Sequence, residues 1–177
     1  MELNISKNIK KLFIPTDPWN FSNPPYNIGE VAHSMVELMR KNNGIGLAYN
    51  QTDLEGSYKI FCMRGSPENF VLINPRIVDL SGIPVEMDEA CLSIPGLIVK
   101  KEHYPNCRVR FEGPDGQTYT KKFSGMTAKT VQHEMNHLNG IPFWDGISKL
   151  KFDIAVKKAY KKYGFDYSNL LYKGNNS

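Results

Sequence analysis

The 177 residues are 41% hydrophobic and 23% charged, ordinary globular usage that excludes a disordered tail, a collagen-like chain and a coiled coil. No run approaches the roughly 18 apolar residues of a membrane span, and the start lacks a signal-peptide core of about 7 to 15 apolar residues, so a soluble, cytoplasmic protein of one domain over 1–177 is expected. The net charge of +4 is uneven: Lys149 to Ser177 carries seven Lys and two Asp, net +5, leaving about −1 for residues 1–148, so attraction to nucleic acid would belong to the C-terminal part.

From the N-terminus, Pro15 to Tyr26 is rich in Pro and Asn and reads as an irregular entry loop. Ile28, Val31, Ala32, Met35, Leu38 and Met39 recur at spacings of three and four and predict an amphipathic helix that Asn43 and Gly44 stop. Tyr58–Arg64 and Asn69–Val78, rich in Ile, Val and Phe and bounded by Gly, Pro and Ser, predict strands. So do Ile98–His103, Arg108–Glu112 and Gln117–Phe123, the last two forming a hairpin across Gly113-Pro114-Asp115-Gly116. The segment Glu89 to Gly96 reads as a loop because of its Pro and Gly.

After Ser124, a candidate N-cap, Met126 to Leu138 predicts a central helix ended by Asn139-Gly140. Ser148 caps a third, running to Tyr163. It places Phe152, Ala155, Val156, Ala159, Tyr160 and Tyr163 on one face and Lys151, Lys157, Lys158, Lys161 and Lys162 on the other. The tail 164–177 carries no readable element. The order helix, strands, helix, helix predicts an α+β fold.

The central helix contains His133-Glu134-Met135-Asn136-His137. Two His four residues apart share a helical face and can reach one metal ion, with Glu134 beside them where a water would sit. A third ligand is needed, and no Glu or His follows His137. Downstream Asp145 is the nearby candidate; upstream, Cys91 in Glu89-Ala90-Cys91-Leu92-Ser93 is another, leaving one position open. Cys62 and Cys107 fall inside strand-like runs and read as inert buried thiols. Three Cys are too few and too odd a set for a disulfide framework, which points to a reducing compartment. Gly44 to Gln51, GIGLAYNQ, has two Gly for close backbone approach but lacks the Lys-Ser/Thr of a phosphate loop.

Together GIGLAYNQ, EACLS and QHEMNHLNG, in this order, resemble the three signature motifs of the peptide deformylases, and the likeness runs from about Pro15 to Ser148, including NPRI at Asn74 to Ile77. The resemblance implies a mixed, mostly antiparallel sheet packed around the HExxH helix, flanked by an N-terminal and a C-terminal helix. It implies removal of the N-formyl group from the initiator methionine of nascent chains. By position it makes Cys91, His133 and His137 metal ligands and Glu134 the general acid/base. Gln51 and the backbone amide of Leu92 would hold the oxyanion, Gly46 would bind the substrate backbone, and Ile45, Met126 and Thr130 would line the methionine pocket. The metal implied is Fe2+, with Ni2+, Co2+ or Zn2+ as substitutes in a preparation.

Four positions depart from the family pattern: Tyr49-Asn50 for Ala-Pro, Ala90 for Gly and Asn136 for Asp. The first two are expected to alter the wall of the substrate cleft. A carboxylate two residues before a thiolate ligand needs a cation, so Glu89 is expected to pair with Arg110. The basic face of the last helix is expected to give weak contact with the ribosome. Two other functions are compatible with the motifs: a metallopeptidase using Asp145 as third ligand, and a non-catalytic module that binds nascent chains or metal.

Overall fold

In the computed structural model, which describes residues 1–168 and 170, Asn27 opens the first helix, α1 (Ile28–Lys41), by accepting the Glu30 N–H at 3.1 Å. An oxygen-bearing cap satisfies one of the four amides that a helix start leaves unpaired. Asn43, with φ of 55°, then turns the chain out of the helix, a conformation Asn tolerates better than most residues.

The strands are β1 (Gly46–Ala48), β2 (Ile60–Met63), β3 (Phe70–Ser81), β4 (Val85–Cys91), β5 (Ile94–His103), β6 (Asn106–Glu112) and β7 (Thr118–Ser124). β1, β2, β3, β6 and β7 form one antiparallel sheet in the spatial order β1-β2-β3-β6-β7; β4 and β5 form a separate hairpin. All four residues of β2 are buried, because helices cover both faces of the sheet. Ile60 and Cys62 meet Val31, Met35 and Met39 of α1, while Phe61 and Met63 meet Ala128 and Val131 of α2 (Met126–Leu138). The third helix, α3 (Lys149–Tyr163), packs Phe152 and Ala155 against Leu97 and Val99 of β5. The α+β order and the HExxH helix against the sheet agree with expectation. No helix among the described residues is long and apolar enough to cross a membrane.

Several local expectations are corrected. Glu89 to Gly96 is a tight hairpin, with Cys91 opposite Ile94 across Leu92 and Ser93, because inward residues alternate on both sides of it and outweigh the Pro and Gly. The N-cap of α2 is Gly125, with φ of 56°, and not Ser124. Tyr160 and Tyr163 stand exposed at the rim of α3, where Phe152, Ala155 and Ala159 make the buried stripe. Ser148 does cap α3, accepting the Lys151 N–H. Of the unassigned tail, the Tyr167 hydroxyl donates to the Pro95 carbonyl at 2.6 Å; residues 169 and 171–177 lie outside the described residues.

Candidate metal centre and substrate cavity

Two elements bring the candidate metal-binding side chains together. On α2, the 3.6-residue period places His133 and His137 one turn apart, their Nε2 atoms 3.1 Å from each other. At the end of β4, alternation turns Glu89 and Cys91 to the same inward side. The Cys91 Sγ then lies 3.3 Å from His137 Nε2, and all three donor atoms fall within 4.8 Å of one another. With metal bonds of roughly 2.0 Å to nitrogen and 2.3 Å to sulfur, a tetrahedral ion would hold such atoms roughly 3.3 to 3.6 Å apart, so the residues present fit a divalent metal. Asp145 is not part of this cluster.

Burial alone would raise the Cys91 thiol, but the charges and hydrogen bonds of His137 and His133 outweigh it and bring the pKa down to about 5. A thiolate is the form that binds metal. Burial, by contrast, pushes the Cys62 thiol far up and raises Cys107 to about 11, which keeps both protonated and inert.

Behind the cluster sits Glu89, fully buried. Its Oε2 accepts the His133 Nδ1–H at 2.6 Å and lies 3.3 Å from Lys129 Nζ, while its Oε1 lies 2.8 Å from His103 Nε2. Burial pushes this carboxyl up, but His103, His133 and Lys129 prevail and hold it well below the usual range. The bond to Nδ1 fixes the His133 tautomer and aims the Nε2 lone pair at the cluster. The expected Arg110 pair is therefore wrong. Cys107, Val109 and Phe111 take the inward positions of β6, so Arg110 faces outward opposite Arg76 of the neighbouring strand β3, away from the β4–β5 hairpin that carries Glu89. His103, at an inward position of β5, is the partner that sequence reasoning missed. Its signal was alternation: Leu97, Val99 and His103 share one side.

Glu134 is buried, and its Oε2 has no hydrogen-bond partner. Burial drives its pKa up, the two His oppose this, and the result is about 7. A buried carboxylate oxygen kept free is costly, and a value near neutrality suits proton exchange. Gln51 is held by its Oε1, which accepts the Ala48 N–H at 2.8 Å. That leaves Nε2 facing the site, 3.2 Å from both Cys91 Sγ and Ser93 Oγ.

A cavity of about 380 Å³ opens beside these groups, lined among others by Ile45, Gly46, Leu92, Met126, Lys129 and Thr130. Every residue expected in the substrate site thus borders one space. Gly46 is required there: a Cβ would collide with the Glu134 carboxylate and come within 2.8 Å of Thr130 Cγ2. Lys129 and Ser93 were not anticipated.

Tyr49 and Asn50 do not form the cavity wall as expected. Tyr49 is buried between α1 and the sheet, its hydroxyl donating to the Glu55 carbonyl at 2.8 Å. Asn50, fully buried, donates through Nδ2 to the His137 carbonyl at 2.7 Å and to the Lys11 carbonyl at 3.3 Å. It ties the end of α2 to the segment carrying Gln51. Asn50→Ala is expected to cost about 1 to 2 kcal/mol, seen as a fall in Tm of roughly 3 to 6 °C. An unchanged Tm would show that the Gly140 amide, which also reaches the His137 carbonyl, suffices. Ala90 does not adopt positive φ, so its methyl is accommodated.

Comparison with known proteins gives the family and the shared fold. The family described as polypeptide deformylase matches residues 5–153. A peptide deformylase from Wolbachia pipientis of Culex pipiens is 37% identical over 147 residues, 76% of this chain and 81% of its own. Among solved structures, a peptide deformylase from Legionella pneumophila superposes with a TM-score of 0.77 at 27% identity, covering 87% of this chain and 90% of that one. One from Synechococcus elongatus in complex with actinonin gives 0.78 at 27%, covering 92% and 86%. The sequence match over most of the chain and the shared fold place this protein in the polypeptide deformylase family.

Proposed function

We propose that this chain removes the N-formyl group from the initiator methionine of nascent polypeptides, using a divalent metal held by Cys91, His133 and His137. The observation that carries it is the convergence of that donor set with a free, buried carboxylate, Glu134, at the edge of one cavity. When bound, the metal supplies Lewis acidity and lowers the pKa of a coordinated water. Glu134 accepts the proton of the attacking water and returns it to the departing amine. Gln51 Nε2 and the Leu92 backbone amide donate to the oxyanion. The amide of Gln51 is prepaid, because Ala48 already fixes its orientation, and such a donor is worth about 3 kcal/mol. Gly46 offers its backbone to the substrate chain. Ile45, Met126 and Thr130 receive the methionine side chain.

The donor chemistry supports Fe2+ or Zn2+, since one thiolate softens the centre, and we assign Fe2+ as the cellular metal. Three free, buried cysteines support a reducing, cytoplasmic setting. Anaerobically purified protein should turn over a formyl-Met peptide and leave an internally blocked peptide intact. Cleavage of the second at a comparable rate would make it an endopeptidase.

The basic face of α3 supports a weak ribosome contact. Lys151, Lys157, Lys158, Lys161 and Lys162 are all exposed, Lys157 and Lys161 opposite the buried stripe and the others beside it, with Lys151 3.3 Å from Glu86. Three or four phosphate contacts give a logarithmic salt slope of about −2 to −4. Changing Lys157, Lys158 and Lys161 to Glu should abolish low-salt co-sedimentation with ribosomes while leaving formyl-Met turnover within about twofold. A wild-type protein that never co-sediments would reduce this face to a solvated surface.

A further inference from the structure

Lys129 stands in the wall of the 380 Å³ cavity, on α2 one residue before Thr130. Its side chain is only 13% exposed, and its Nζ is 3.3 Å from Glu89 Oε2. Glu89, fully buried, does not border the cavity itself, so Lys129 separates that carboxylate from the space where the first side chain of the substrate would lie. An ammonium carries three N–H donors. Glu89 holds it as an ion pair, and among the described residues Nζ has no second polar partner.

Apart from Asn43, an exposed amide, the other polar side chains around the cavity are committed or are acceptors. The Thr130 hydroxyl donates to the Met126 carbonyl at 2.9 Å, and Gln51 Nε2 faces Cys91 and Ser93. Asp88 and Glu134 are carboxylates. Lys129 therefore supplies a fixed cationic donor beside the apolar surfaces of Ile45, Leu92 and Met126. Because Glu89 anchors it, the amine loses little freedom when a ligand arrives, and that pre-organisation favours binding.

We infer that Lys129 determines which first side chain the cavity accepts, favouring one with a strong hydrogen-bond acceptor near its end, and that the substrate class so admitted is peptides beginning with formyl-methionine sulfoxide. This rests on the reading that the cavity receives the substrate's first side chain. A thioether sulfur is a weak acceptor, so methionine itself draws little from the ammonium beyond contact with its aliphatic stem. The sulfoxide keeps the same chain and adds one polar oxygen. That oxygen would normally make the side chain a poor guest for an apolar pocket. Here it meets a donor.

The test compares kcat/KM for tripeptides starting with formyl-Met, formyl-Met sulfoxide and formyl-norleucine on metal-loaded wild type, Lys129→Met and Lys129→Arg, with metal content matched. Wild type should process the sulfoxide within about threefold of formyl-Met. Lys129→Met should lower the sulfoxide-to-norleucine ratio about tenfold, the usual effect of one charge-assisted hydrogen bond, and chiefly through KM. Lys129→Arg should restore most of the ratio. Calorimetric Kd values for the deformylated product peptides on the same loaded proteins should follow the same order, independently of turnover. A wild type that disfavours the sulfoxide by more than about threefold, or a ratio unchanged in Lys129→Met, overturns the inference. The wild-type value decides even if a variant fails to fold. Wild type inactive on every formyl peptide would instead overturn the reading of the site.

Discussion

Replacing Glu134 with Gln should leave the metal bound and the fold intact while lowering turnover of a formyl-Met peptide by a factor on the order of 100 or more. Glu134 is not one of the three clustered donors, so the metal should stay. Its carboxyl is pushed up to about 7 by burial against the pull of His133 and His137, which lets it both take and return a proton near neutral pH. Gln has the same shape and can do neither. The loss should appear in kcat, with KM little changed, because proton transfer belongs to the transition state. Metal analysis beside the assay separates this from loss of the ion. A fully active, fully loaded variant would remove Glu134 from the mechanism.

Glu89→Gln should be the most destabilising single change near the site. The carboxylate faces His103, His133 and Lys129 with no solvent access, and breaking such a buried arrangement costs about 3 kcal/mol, or roughly 6 to 12 °C in Tm. Gln still offers an oxygen to His133 Nδ1, but a weaker acceptor, so metal affinity should fall about 10- to 100-fold as the imidazole loses basicity and orientation. The pH dependence has a definite sign. Glu89 has its folded pKa depressed below the ordinary 4.5. Its stabilisation is therefore complete above that value and is lost as pH falls below it. The gap between wild type and variant should be full at pH 7 and narrow in acid. A constant gap from pH 7 to pH 3 would mean that Glu89 acts through packing alone.

Much of this protein was legible in the chain itself where the determining interactions are local. The period of α1, its stop before Asn43-Gly44, the Gly113 to Gly116 hairpin and the span of α2 all follow from spacing and turn chemistry within a few residues. The i, i+4 pair His133 and His137 is local in the same sense, since helical geometry alone puts both rings on one face. Cys91 is different. As residues alone, Cys91 and Asp145 stayed open as third ligands, and the family motifs pointed to the former. The folded chain brings Cys91 to His137 across 46 positions of sequence, because β4 ends there.

The partner of Glu89 needed tertiary structure for the same reason. Charge balance requires a cation, which sequence can state; which cation depends on the side to which each strand turns. Alternation in β6 sends Arg110 outward, alternation in β5 sends His103 inward, and the docking of α2 brings Lys129 to the same carboxylate. Likewise Asn50 departs from the family pattern in a way that suggested the cleft wall, whereas the packing of its segment against the end of α2 spends its amide on the His137 carbonyl. Residue types and local periods determined which chemistry this protein carries. The pairing of β4 with β5 and the seating of α2 decided which of those groups meet, because contacts between distant segments depend on how whole elements bury their apolar faces.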